Sequence, residues 1–182
     1  TAFMEKALLL PKLTGDLLGM CGFAFMLGLG RVLHGIYGAK FNMNKALVIS
    51  SAVAVVCYIT VALSPVNTVN LFACALCGIM ASLLWPGTLV ITAEKYPLAG
   101  AWMFAILAAA GDIGAAVGPW FTGIIAEQTM RMQAAADLSA KLGLSAEQLG
   151  IRMGILAAVI FPIFAVVCHS FLKKRQNAYE AN

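Results

Sequence analysis

The 182 residues are 62% hydrophobic and only 11% charged, with a formal net charge of +4 and a mean hydropathy of +0.90. Soluble domains carry about 45–50% apolar and about 25% charged residues; this chain has too few polar side chains to cover a water-facing surface, so lipid must be its outer solvent. The basic residues sit at the ends of apolar segments, which fits membrane topology and argues against a nucleic-acid partner.

Residues 1–13 are too short to span a bilayer, and Pro11 interrupts the leucines at 8–10. This stretch is expected to be the end of a preceding helix or an extracytoplasmic turn. The chain opens at Thr1 and turns apolar almost at once, without a signal-peptide pattern, so it is expected to be an N-terminally truncated fragment. The remainder, 14–182, reads as a partial helix bundle. Its first span is expected at 14–36, where Thr14 and Asp16 suit the N-terminal turn and Gly15, Gly19 and Gly22 form a small-residue stripe.

A short basic loop follows, with Arg31, His34, Lys40 and Lys45 around the turn Asn42-Met43-Asn44. Between Lys45 and Glu94 no charge occurs. That run is too long for one helix across about 30 Å, and its polar midpoint from Ser64-Pro65 to Asn70 divides it into spans at 46–63 and 71–93. Pro86 in Trp85-Pro86-Gly87 predicts a kink, with Thr88 and Thr92 on nearly one face. Glu94-Lys95-Tyr96-Pro97 forms a tight turn into a fourth span at 98–126.

That fourth span carries Asp112 near its middle, with no other charge between Lys95 and Glu127. An ionised carboxylate at half depth costs at least about 2.5 kcal/mol, and acids there face protein or a water-filled path. Gly111, Gly114 and Gly118 recur at helical spacing beside it, followed by Pro119, and predict a face where another helix approaches closely. Residues 127–150 are polar and alanine-rich, and Ser145 to Gln148 fits a capping box opening a fifth span at 151–172. Lys173, Lys174 and Arg175 end it, and the tail beyond is expected to fray.

The fold class is therefore all-α, a polytopic transmembrane bundle of five spans. The basic residues of the 31–45 loop and of the C-terminal tail place the C-terminus in the cytoplasm and the N-terminus outside. All five cysteines lie in apolar segments, and Cys74-x-x-Cys77 has neither a histidine nor a second pair nearby, so no disulfide, metal or cofactor is expected. His34 and His169 are expected at solvated helix ends, Tyr37 and Trp120 at the interfaces. Ser50, Ser51 and Ser82 are expected to lack a histidine partner at depth, and Asp112 lacks a second carboxylate, so an intramembrane enzyme is disfavoured.

Three passages resemble the C-terminal half of a major facilitator superfamily transporter, of the fucose permease and sugar porter kind. Gly30-Arg31-Val32-Leu33-His34-Gly35-Ile36-Tyr37-Gly38-Ala39-Lys40-Phe41 is similar to the family's G-R-x-x-x-G-x-x-x-D-R-F passage, with Ala39 in place of the acid. Trp85-Pro86-Gly87 through Glu94-Lys95-Tyr96-Pro97 is similar to the tenth helix and its turn, and Ala110-Gly111-Asp112-Ile113-Gly114 through Gly118-Pro119 to the eleventh. The resemblance implies that the five spans are helices eight to twelve of twelve. It further implies alternating-access transport of a small polar solute such as a sugar, with proton coupling, in a bacterial inner membrane, together with an absent N-terminal half. Asp112, Trp85 and Thr88 would then line the substrate or proton pathway, and Arg31, Lys40, Lys45 and Glu94 would form a cytoplasmic gate. A non-transporting assembly subunit is the alternative.

Overall fold

The computed structural model describes residues 3–9, 11, 13, 15–37 and 42–180, the side chains at 3, 4, 16, 134 and 175–180 excepted. Thr14, Ala39 and Lys40 lie outside the described residues, as do the side chains of Asp16 and Arg175. All regular structure among the described residues is helical. A π-helical turn, Phe3–Ala7, is followed by a second, Gly15–Cys21, which runs into α1 (Gly22–Tyr37). Then come α2 (Met43–Leu63), α3 (Asn67–Lys95), α4 (Gly100–Arg131), the short α5 (Gln133–Leu142), α6 (Ala146–Ala157) and α7 (Ile160–Glu180).

Among the described residues, five stretches are long and apolar enough to cross a membrane: Leu17–Tyr37, α2, α3, α4, and Ala146–Lys174, which joins α6 to α7. The protein is an all-α integral membrane bundle. Its spans differ from the sequence expectation mostly at their ends, each for a local reason. The helix α2 starts at Met43 because the Asn42 side chain caps it, accepting from Lys45 N at 3.1 Å. In α3 the polar residues placed in a turn instead make the first helical turn, from Asn67. The helix α4 runs on to Arg131, where Glu127 and Arg131 pair at 2.6 Å one turn apart. The tail does not fray at Lys174: α7 continues to Glu180, in sequence free of glycine and proline after Pro162.

The capping box opening α6 is present, with Gln148 N donating to Ser145 Oγ at 3.1 Å and Ser145 N to Gln148 Oε1 at 2.9 Å. Before it, Gly143 at φ +65 closes α5 in the left-handed conformation that glycine adopts without strain. Pro162 has no N–H to continue the ladder from α6, and the chain tightens there, with Val159 N on Leu156 O and Phe161 N on Ala158 O. The helix α3, by contrast, continues unbroken through Pro86.

The centre of the bundle is α2, which packs against α3, α6 and α7. Its buried residues Leu47, Ser50, Ser51, Ala54, Cys57, Val61 and Ala62 follow helical spacing and are mostly small, so neighbouring backbones come close. On its far side α3 packs against α1, where a Cβ at Gly30 would collide with the Ser82 side chain and one at Gly78 would stand 2.6 Å from Phe23 O. The closest backbone approach of α4 lies on α6: a Cβ at Gly150 would be 2.7 Å from Ala126 O, and one at Gly154 only 2.6 Å from Thr122 O. Gly150-x-x-x-Gly154 is thus the small-residue pair that seats the Asp112 helix.

Candidate functional site

Asp112 lies twelve residues into α4, about 18 Å along its axis at 1.5 Å per residue. The helix is held at its C-terminal half by α6, and Met103 is its single buried residue. Asp112 is exposed, and no described side chain bonds it. A carboxylate at this depth can accept hydrogen bonds from a solute's hydroxyls or take up a proton, provided that it faces protein or water and not lipid tails.

The structure brings Trp85 to this helix. Its ring lies against Gly111, so that a Cβ there would be 2.7 Å from Cζ3 and 3.0 Å from Cη2. The indole is 42% exposed, leaving much of the ring free to stack. Thr88, one turn further along α3, donates its hydroxyl to Leu84 O at 2.6 Å, and Thr92 does the same to Thr88 O at 2.7 Å. The Thr88 proton is therefore engaged within its own helix, and the oxygen can act only as an acceptor.

Of the small residues expected to share one packing face, only Gly111 makes a close contact. An added Cβ at Gly114 or Gly118 would have no heavy atom within 4 Å. Both glycines and Pro119 instead line an open groove of about 670 Å³ between α4, α6 and α2, walled by Ile151, Ile155 and Tyr58. The groove is apolar in character, since Thr122 in its wall donates to Gly118 O at 2.9 Å.

No family model matches this chain, and no curated protein or solved structure matches it.

Lys45 at the start of α2 and Glu94 at the end of α3 lie at one end of the bundle, whereas Arg31 lies six residues before the end of α1, next to Gly30, which packs against Ser82 well inside α3; all three are exposed. No ion pair joins them among the described residues; Lys40, the fourth residue of the expected gate, lies outside those residues. All five cysteines are free.

Two expectations about polar residues at depth are corrected. Ser51, fully buried on α2, lies 2.9 Å from His169 Nδ1 on α7, so a buried serine does find a histidine and His169 is not simply solvated. Ser51 Oγ also donates to Leu47 O at 2.8 Å, which leaves Nδ1 as the donor of the second bond. With its proton on the carbonyl and its oxygen inaccessible, Ser51 ties two helices together. Sequence spacing could not reveal this pair, because 118 positions separate its members.

The second correction concerns Asn70, which the structure brings together with Arg152. Asn70, assigned by sequence to a polar turn, is fully buried in α3, and Arg152 in α6 is 9% exposed. Both donate to Ser64 O at the end of α2, Asn70 Nδ2 from 3.2 Å and Arg152 Nη1 from 3.0 Å. The clue in the sequence was a lone arginine entering an apolar span.

Proposed function

We propose that the protein is part of a secondary transporter for a small polar solute, a sugar or related metabolite, working by alternating access with proton coupling. The observation that carries this reading is the Asp112 face of α4: an exposed carboxylate at mid-span on a helix whose close backbone packing, on α6, lies in its C-terminal half. Such a group is stable in a membrane when a further protein element or a water-lined path covers it. Trp85 beside Gly111 would supply a stacking surface next to the acid, and Thr88 an acceptor. A second six-helix half facing α4 would complete the path. Arg31, Lys40, Lys45 and Glu94 would form the cytoplasmic gate, pairing when that side closes, with the C-terminus in the cytoplasm of a bacterial inner membrane. The three motif passages that resemble major facilitator helices eight, ten and eleven support the assignment in the same order along the chain.

Uptake by the full-length protein in proteoliposomes, with a panel of sugars and with or without a pH gradient, tests it. Asp112→Asn should abolish gradient-driven uptake while leaving membrane insertion and helicity intact; unchanged uptake would exclude Asp112 from the path. If no solute is taken up by the native protein, the uncovered face of α4 would instead mark a permanent subunit contact, as in an assembly protein.

A further inference from the structure

At the end of the bundle where α2 finishes and α3 and α6 begin, two polar side chains are buried more deeply than their bonding justifies. Arg152 Nε and Asn70 Oδ1 are both sealed from solvent and have no hydrogen-bond partner. Among the described residues, the one bond of the guanidinium runs from Nη1 to Ser64 O and no carboxylate lies against it. Arginine stays charged at any physiological pH, so burial cannot be relieved by losing the proton. An uncompensated buried charge is strongly destabilising.

The geometry shows what would compensate it. With Nη1 spent on Ser64 O, the free edge of the guanidinium is the one formed by Nε and Nη2, whose parallel N–H groups match two oxygens of a carboxylate or phosphate. Asn70, bonded to the same carbonyl through Nδ2, leaves an acceptor, Oδ1, for a hydroxyl or water proton beside that anion.

Above this cluster lies a built cover. Residues 3–9 cross the bundle end, with Ala7 and Leu8 buried. Gln148 Nε2 donates to Ala7 O at 3.2 Å and Asn67 Nδ2 to Leu8 O at 3.1 Å, while Lys6 pairs with Glu147 at 2.7 Å. Gln148 and Asn67 stand one turn from Arg152 and Asn70 on the same two helices. Thus α6 and α3 each present one layer of polar side chains to the strap and a second, incompletely bonded layer beneath it.

We propose that Arg152 and Asn70 form a binding site for an oxyanion, a carboxylate or phosphate group, held beneath the 3–9 strap. The site is separate from Asp112 and does not depend on the transport reading. Its ligand reaches it either from solution or as the headgroup phosphate of a bilayer lipid.

The test uses the full-length protein purified in detergent and in nanodiscs. Inorganic phosphate or acetate should raise the Tm saturably over chloride at equal ionic strength if the anion is soluble. Phosphatidylglycerol nanodiscs should raise it over detergent, with no effect of added phosphate, if the lipid supplies the group. In either case Arg152→Gln, which keeps an amide for Ser64 O but lacks the charge and the fork, should weaken the apparent affinity about tenfold or more. Arg152→Lys, which preserves the charge and so guards against misfolding of the glutamine variant, should weaken it as well because the paired donors are lost. No oxyanion or lipid response in the native protein, or an undiminished response in the lysine variant, would overturn the proposal.

Discussion

The Trp85 indole occupies the space that any side chain at Gly111 would need, with ring carbons 2.7 and 3.0 Å from an ideal Cβ. Two helices that otherwise scarcely meet are brought together there, one residue from Asp112. The ring edge is partly exposed and can swing. Gly111→Ala should therefore destabilise the bundle by only about 1 kcal/mol, at the low end for overpacking. In a Trp85→Ala background the penalty should vanish, as measured by unfolding free energies in bicelles; an equal penalty in both backgrounds would mean that the ring is not what limits Gly111.

A larger effect is expected at the α4–α6 seam. At Gly154 and Gly150 the obstructing atoms are the carbonyl oxygens of Thr122 and Ala126, which cannot rotate away. Alanine at either position must separate the helices, at a cost of about 3 kcal/mol. Gly114, with nothing within 4 Å, is the control: alanine there should be neutral or stabilising by up to about 1 kcal/mol through helix propensity. The same unfolding measurement ranks the three, and an inverted order would show that α4 is seated elsewhere.

The Ser51–His169 bond joins α2 to α7 at 2.9 Å. Interhelical polar bonds in membranes average about 0.6 kcal/mol, with a maximum near 1.7. A double-mutant cycle with Ser51→Ala and His169→Phe should return a coupling in that range. Zero coupling would leave the two residues as neighbours without an energetic link.

The strap offers a pH dependence of known sign. Lys6 is held above its ordinary value of 10.5 by the hydrogen bond and charge of Glu147. Its contribution is complete below pH 10.5 and is lost as pH rises through the raised value. A spin label at Glu5→Cys, in a cysteine-free background, should be immobile at pH 8 and gain mobility only above pH 10.5. In Lys6→Met it should already be mobile at pH 8, and identical spectra in the two proteins would show that the pair does not hold the strap.

Composition and charge-free runs alone determined that the chain is a five-span helical membrane bundle, because an apolar run must close its own backbone hydrogen bonds and helices do so locally. The Ser145–Gln148 capping box was legible for the same reason, since its partners lie three residues apart. Span ends were less so: Asn42 reads as a turn residue until it is seen accepting from Lys45 N. Only the tertiary structure decided which small residues touch. Gly114 and Gly118, prominent in the sequence, line an open groove, whereas Gly150 and Gly154 meet the backbone of α4. It alone also placed Trp85 on Gly111, His169 on Ser51, and Arg152 with Asn70 on one carbonyl. Contacts between distant segments depend on how helices rotate and cross, and periodicity within one helix carries no record of its neighbour's face.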